Sequence, residues 1–380
     1  MIELNKNYDA ILKQIQYIEE HFYKCTSPNT SLYYCSIYEA LCMHYYLLTG
    51  KNVYSNKIKH NTFLLNEGDR SLKKLSKQNV KNIIENKEYH KEVAGQDYQS
   101  ISDTLDWFIQ SPHFRKNEYL AYANLDINQG EDEDILEHFL KTEAIPLLPI
   151  YKNVTNNHTL FYDPCVDAFY HGAFIFNGIE EVYNIFLHEK CSNISNLSYY
   201  VHELGHGFDY KDYCSRMPFK QLVHFDTEGV YGEVLSTYYE QKFLEFCLQN
   251  DYKKEQALLS FIDYYDLNLI HLNNLGFILS LPDDYLFYDG VDVNKLSDDL
   301  LLSDSSELVS QHIDIPSAFF YSYGFLLSNY MLEHPEVIPQ FLQTRTQPFN
   351  QEKLDSMGIT PSGMRDATVK RAEKVFSKHL

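Results

Sequence analysis

Hydrophobic residues recur at three- and four-residue steps over residues 1–48, and the pattern breaks at Ser27-Pro28-Asn29. This spacing places apolar side chains along one face of a helix, so it predicts two helices separated near the proline. A further helix is predicted at about residues 100–109. Helical periodicity resumes at Asn196 and continues onward, apart from an acidic, turn-rich stretch at about residues 282–307.

Between Ile145 and His188 the pattern changes to short apolar runs. Two of these runs, residues 172–176 and 182–187, flank Asn177-Gly178, a dipeptide typical of hairpin turns. We therefore predict a fold that is mainly α, with a small antiparallel β-sheet.

Composition and charge narrow the possible partners. The 380 residues are 44% hydrophobic and 22% charged, which is typical of folded globular proteins. Thirty-two basic residues against 53 acidic residues give a net charge of −21, which repels phosphate backbones and anionic lipid, so we expect no nucleic-acid or membrane partner. No run of about 18 apolar residues and no export signal is found, and we expect a cytoplasmic protein. The seven cysteines form no C-x-x-C pair, so a thiolate metal site is not expected.

Two histidines, His202 and His206, are four residues apart in a segment with helical periodicity. Their side chains then leave the same face of a helix, where two neutral imidazole nitrogens can occupy two corners of a zinc tetrahedron. Glu203 directly follows the first histidine and lies within reach of a water on such an ion, so we assign it as the general base. A catalytic zinc site also requires a third protein ligand.

Three glutamates compete for that third ligand position. A second predicted helix, at about residues 231–248, carries Glu233 and Glu240 on one side, and Glu228 precedes it. Glu233 lies 233 − 206 = 27 residues beyond His206, which is enough for a connection and an antiparallel return of the chain. The spacing leaves all three open and ranks them Glu233, Glu240 and Glu228.

Several stretches of the chain resemble the zinc oligopeptidases that include oligoendopeptidase F and thimet oligopeptidase. The motif HELGH at residues 202–206 is followed by Phe208 in the family's manner, and GEVLSTYYE at residues 232–240 is similar to the family's AEVASTFNE helix. The resemblance implies that Glu233 is the third ligand and that the chain binds one Zn²⁺. It covers about residues 160–380.

The resemblance also implies an architecture. The expected fold is a lobed zincin-type metallopeptidase, with the small sheet beside the active-site helix. Residues 1–150 would form an N-terminal helical lobe, reduced because the family's members are typically much longer, and residues 151–380 would form the zinc-binding catalytic region.

Further site residues follow from the same resemblance. Gly172, Ala173 and Phe174 are similar to a family strand that pairs with extended substrate, which implies a substrate-binding role. Tyr321 and Tyr323 lie in a segment similar to the family's FYVY, whose tyrosines lie over the metal. We predict that Tyr323, with Tyr321 as the alternate, donates a hydrogen bond to the oxyanion.

Four more residues are assigned to supporting roles. His312 is the candidate for the histidine that assists the tyrosines in some members, although it is about one residue out of register. Ser236 and Glu240 are expected to orient the ligand side chains, and Asp209, one turn beyond His206, is expected to do the same.

The function predicted from the sequence is hydrolysis of short peptides by a zinc-dependent metalloendopeptidase. Two alternatives remain. One is a dedicated processing peptidase for a single protein or precursor. The other is an inactive, zinc-stabilised peptide-binding module, for which Glu203 would have no use.

Overall fold

The computed structural model describes residues 4–55, 81–110, 131–163, 172–187, 194–216, 230–281, 315–345 and 349–377. Of these residues, 77% are helical, so the prediction of a mainly α fold is confirmed. The helices of the first part of the described chain include α1 (Asp9–His21), α2 (Pro28–Thr49), α3 (Lys87–Ala94), α4 (Gln99–Gln110), α5 (Glu131–Thr142) and α6 (Leu148–Asn157).

The break predicted at Ser27-Pro28-Asn29 separates α1 from α2. The Ser27 hydroxyl accepts a hydrogen bond from the Thr30 backbone amide at 3.2 Å, and Pro28 occupies the first turn, where its missing N–H costs nothing. Helix α2 ends at Gly50, whose φ of +70° is the left-handed conformation that favours glycine.

Three strands follow, β1 (Leu160–Tyr162), β2 (Gly172–Asn177) and β3 (Val182–Leu187), in the spatial order β1-β3-β2. Strands β2 and β3 pair in antiparallel register from Gly172↔Leu187 to Asn177↔Val182, as the hairpin signal predicts. Strand β2 therefore lies at one edge of the sheet.

The prediction of a purely antiparallel sheet is wrong for β1, which pairs with β3 in parallel. The chain reverses its direction between β1 and β2 and again between β2 and β3, and two reversals leave β1 parallel to β3. Asn5 extends this side by a parallel bridge to Phe161. The sheet is thus small and mixed.

The remaining helices are α7 (Ile194–Arg216), α8 (Val234–Gln249), α9 (Lys254–Ser280), α10 (Ile315–Glu333), α11 (Ile338–Thr344), α12 (Gln351–Ser356) and α13 (Pro361–Ser377). Helix α8 packs against α7, α9 and α10, and the other face of α7 packs against β2 and β3. Helix α7 is thereby enclosed between a helix bundle and the sheet. Its HELGH motif lies at this junction.

The helices before the sheet contribute to two hydrophobic cores. Helices α1 and α2 pack on the face of the sheet that carries Phe161, Ile175 and Phe186. Helices α3 and α4 join the larger core and contact α13, while α3 also contacts α9. The division into a lobe at residues 1–150 and a catalytic region at residues 151–380 stays a prediction, as does the lobed zincin-type architecture.

Within the described residues, no helix combines the length and the apolar character that a membrane crossing requires.

Candidate metal centre

The two histidines of α7 and one glutamate converge at the junction of α7 and α8. Nε2 of His202 lies 3.1 Å from Oε2 of Glu233, and Nε2 of His206 lies 3.3 Å from the same oxygen. The four-residue spacing on α7 brings the two rings within 4.9 Å of each other, centroid to centroid. Among the described residues, this trio forms a group whose ligand atoms all lie within 4.8 Å of one another.

The spacing of these atoms fits a tetrahedral ion. Two ligands at about 2.0–2.2 Å from a tetrahedral zinc lie about 3.3–3.5 Å apart, close to both nitrogen-to-oxygen distances here. Two imidazoles and one carboxylate also match the donor set of catalytic zinc sites, which leave a fourth position open. The residues present therefore fit one Zn²⁺.

Glu233 is positioned by the start of α8. It directly precedes Val234, so it stands at the N-cap rather than inside the helix that the sequence predicted from about residue 231. The Ser236 hydroxyl lies 3.0 Å from Oε2 of Glu233 and 3.0 Å from the main-chain oxygen of Glu233. Either oxygen can accept a hydrogen bond from this hydroxyl. The structure thus places Ser236 beside the carboxylate that faces both histidines.

Glu240 contacts the other side of His202. Its Oε2 lies 2.8 Å from Nδ1 of His202, and the Ser198 hydroxyl lies 3.4 Å from its Oε1. A proton held on Nδ1 by this carboxylate leaves the lone pair on Nε2, the atom that faces Glu233. Glu240 therefore fixes the imidazole tautomer that can bind a metal. Glu228, the third candidate ligand, lies outside the described residues.

The buried carboxylates have opposite pKa shifts. Burial raises the pKa of Glu203 and outweighs the opposing effect of His206 and His202. Burial also acts on Glu233, but His206 and His202 outweigh it and hold the pKa of that carboxyl well below its usual range. Glu233 is therefore anionic at neutral pH, as a ligand must be, whereas Glu203 binds a proton more readily than an ordinary glutamate.

Glu203 lies against the edge strand. A Cβ added to Gly172 would lie 2.5 Å from Oε1 of Glu203, so only a glycine permits this approach between β2 and α7. Gly172 pairs with Leu187 on β3, and the other side of β2 carries no strand within the described part of the chain. The proposed general base is thus next to a strand edge that no other strand of the described residues covers.

The other residues of the predicted substrate strand divide between the two faces of the sheet. The Phe174 ring is stacked near His206, with centroids 6.2 Å apart, and also contacts Tyr210. Ala173 packs instead with the core formed by α1 and α2. This alternation is the normal consequence of the two-residue period of a strand.

Asp209 does not hydrogen-bond a metal ligand. Oδ2 of Asp209 accepts hydrogen bonds from Nε and Nη2 of Arg345, at 3.1 and 2.9 Å, and both side chains are about 1% exposed. The structure thus connects α7 to the end of α11 through Asp209. Its predicted role in orienting His206 stays a prediction.

The two candidate tyrosines have different surroundings. Tyr323 is fully buried, and its hydroxyl forms a hydrogen bond with Nδ1 of His90 at 2.6 Å. Tyr321 is half-buried and stacks on His271, with ring centroids 4.7 Å apart. His312 lies outside the described residues.

Sequence reasoning missed His90 and His271, since neither belongs to a motif. His90 lies 233 positions before its partner Tyr323, so no local signal connects the pair. His271 follows the GEVLSTYYE segment by 31 residues, 271 − 240 = 31, and only its place in a periodic helix was visible.

Comparisons with protein-family models, with curated proteins and with solved structures find no match to this chain. The resemblance to the zinc oligopeptidases therefore stays a prediction, and the assignment of a function depends on the geometry of this centre.

Proposed function

We propose that this chain is a zinc-dependent metallopeptidase of the kind that the zinc oligopeptidases represent. The observation that carries the proposal is the position of Glu203. Its carboxylate adjoins the His202, His206 and Glu233 trio without belonging to it, and it lies against the edge strand β2. A site built only to hold a structural ion has no use for a further buried acid at this place.

The chemistry is divided between the ion and the chain. A zinc ion in this centre would supply Lewis acidity, lowering the pKa of a water to about 7 and polarising the scissile carbonyl. Glu203 accepts the proton of the attacking water and delivers it to the leaving amine. The raised pKa of Glu203 suits a group that must take and release a proton near neutral pH.

Strand β2 supplies the substrate site in this proposal. An extended peptide adds to its open edge through main-chain hydrogen bonds, and the approach of Gly172 to Glu203 brings that peptide next to the general base. Backbone pairing holds peptides of many sequences, so a broad action on short peptides follows more directly than a single dedicated precursor. A mixed peptide library distinguishes the two, because a dedicated enzyme leaves most of its members uncut.

The decisive experiment uses purified, zinc-loaded full chain with a mixed peptide library read by mass spectrometry. Wild-type protein should contain about one zinc and cleave peptides. The Glu203→Gln variant should keep its zinc and its melting temperature, but its turnover should fall by a factor on the order of 10²–10⁴. Glu88→Gln, an exposed glutamate with 87% side-chain accessibility, is the matched control and should leave turnover unchanged.

Each outcome has a distinct meaning. Zinc binding without any cleavage by the wild type would favour the alternative of a zinc-stabilised peptide-binding module. Full activity in the Glu203→Gln variant would mean that another group activates the water. Loss of both histidines to alanine should remove the metal, and an unchanged zinc content in that double variant would refute the centre itself.

A further inference from the structure

A second aromatic group joins α9 and α10, two helices that pack against each other and against α8. It consists of His271 from α9 and Tyr321 from α10, whose rings stack at 4.7 Å with an interplanar angle of 23°. We call it the His271–Tyr321 stack. None of the roles assigned above uses His271.

The packing of α8 against α9 places His271 near Glu233. Four residues connect the two helices, and Nε2 of Gln241 donates to the Tyr264 hydroxyl at 3.2 Å. Counting from that contact, eight residues back along α8 reach Glu233, and seven forward along α9 reach His271. Burial lowers the pKa of His271 to about 4, and the Glu233 carboxylate opposes this shift.

Helix α10 places Tyr321 on the same side. A Cβ at Gly324 would lie 2.7 Å from Cβ of Glu233, and one at Gly232 would lie 3.9 Å from Cδ1 of Phe320, so residues 320 and 324 face the start of α8. Successive helical residues are rotated by about 100°, which puts residues 321 and 323 on opposite flanks of that contact. The flank of Tyr323 is buried against His90, whereas Tyr321 is half-buried and partly accessible.

The chemistry of this surface favours an apolar, flat ligand group. The His271 ring makes no hydrogen bond to any residue that the structure describes, and its stack with Tyr321 presents aromatic faces. Leu267, one turn before His271 on α9, is 36% exposed and extends the apolar surface. Three carboxylates, those of Glu203, Glu233 and Glu240, are grouped at the centre and repel an acidic side chain.

We propose that the His271–Tyr321 stack is a specificity-determining subsite that binds an aromatic side chain of the peptide substrate. This inference rests on the proposed function, because it gives the substrate class of the same centre. An aromatic ring packed against two others is stabilised beyond its burial alone, so the expected preference for a peptide with phenylalanine over one with alanine is about tenfold.

The test measures binding and cleavage separately. Fluorescently labelled peptides that carry Phe, Ala, Glu or Lys at one central position are titrated into metal-free wild-type chain and into the zinc-loaded Glu203→Gln variant, and anisotropy gives each Kd. The same peptides are then given to the zinc-loaded wild type. We expect the Phe peptide to bind about tenfold more tightly than the Ala peptide.

Variants assign the preference to the stack. His271→Ala and Tyr321→Ala should each reduce the ratio of Phe to Ala affinity severalfold without changing zinc content, while Tyr321→Phe keeps the ring and should keep the ratio. His334→Ala is the matched control, because the His334 ring contacts Tyr330 in a tilted arrangement, with centroids 4.5 Å apart, just beyond the far end of the same helix. That variant should leave the ratio unchanged.

Three results would overturn the subsite: equal binding of the Phe and Ala peptides by the wild type, an unchanged ratio in both alanine variants, or tighter binding of the Lys or Glu peptide. Cleavage without an aromatic preference refutes the subsite alone. The wild type could instead bind the Phe peptide selectively but cleave no peptide. If the alanine variants then lose this selectivity, the result supports the subsite and refutes the peptidase.

Discussion

Oε2 of Glu240 lies 2.8 Å from Nδ1 of His202, on the side of the imidazole opposite Glu233. Glu240 and Glu233 therefore contact the two nitrogens of the same imidazole ring. Their spacing of seven residues made them rival candidates for the third ligand, but in the structure they lie on opposite sides of His202. A carboxylate on the outer nitrogen fixes the tautomer and raises the basicity of the ligand.

Replacing this carboxylate should weaken metal binding without abolishing it. We expect Glu240→Gln to lower zinc affinity by about 10- to 100-fold, the usual effect of losing the hydrogen-bond partner of a ligating histidine. Competition with a chelator measures it. Glu233→Ala should lower zinc affinity further. A larger loss in Glu240→Gln than in Glu233→Ala would mean that Glu240 is the ligand and Glu233 the supporting carboxylate.

Gly172→Ala should impair catalysis and leave metal binding intact. The added methyl group would lie 2.5 Å from Oε1 of Glu203, so the carboxylate must move, while the three ligand side chains are not displaced. A misplacement of this size costs on the order of 10²-fold in kcat. At Gly276 a new Cβ would meet only Ala94 at 3.8 Å, an ordinary contact, so Gly276→Ala is the control and should be fully active.

Tyr323→Phe separates two roles for one hydroxyl. Because that hydroxyl is the hydrogen-bond partner of Nδ1 of the buried His90, its loss leaves an unsatisfied nitrogen and should reduce the free energy of unfolding by about 1–3 kcal/mol. The oxyanion role predicted from the sequence requires in addition a fall in kcat equivalent to about 2–4 kcal/mol. Wild-type kcat in both Tyr323→Phe and Tyr321→Phe would refute that role for the pair.

His90 should make the fold sensitive to acid. Burial lowers its pKa to about 3, whereas an unfolded histidine titrates near 6.5. Between these values the unfolded chain binds a proton that the folded chain does not, so the free energy of unfolding falls as the pH falls from about 6.5 to about 3. The slope from this one group is about 1.4 kcal/mol per pH unit at most.

The measurement is urea unfolding at a series of pH values on wild type and His90→Asn. Asparagine lacks the titration but can still accept a hydrogen bond from Tyr323. The variant should lose stability at neutral pH, because it is smaller, yet show a shallower dependence on pH. Parallel curves for the two proteins would mean that His90 does not contribute to acid unfolding.

Arg371 of α13 should be a large contributor to stability. Its side chain is 1% exposed and pairs with Glu245 of α8 and with Glu333 of α10. Removing it leaves the partly buried Glu245 without the cation that the described residues supply, while Glu333 keeps only its lysine partners. Arg371→Met should cost about 3–5 kcal/mol. Lys374 also reaches Glu333, at 3.7 Å, but is 45% exposed, and Lys374→Met should cost less than about 1 kcal/mol. Equal melting temperatures of the two variants would contradict this difference.

The sequence by itself determined the features that depend on neighbours a few residues apart. The four-residue step from His202 to His206 places both side chains on one face wherever a helix forms. Glu203 is next to His202 in the sequence, so its nearness to that histidine is also local. The break at Pro28 and the hairpin turn at Asn177-Gly178 are equally local, because proline and glycine restrict or extend the backbone at their own positions.

Only the tertiary structure decided which distant residues meet. Spacing left Glu233 and Glu240 as alternatives, and the rotation of α8 against α7 places one at Nε2 and the other at Nδ1 of His202. The parallel pairing of β1 and the bond from Tyr323 to His90 also depend on packing between segments far apart in the chain. A periodic pattern tells which face of a helix is buried, but the element that covers that face is set by the packing of the whole core.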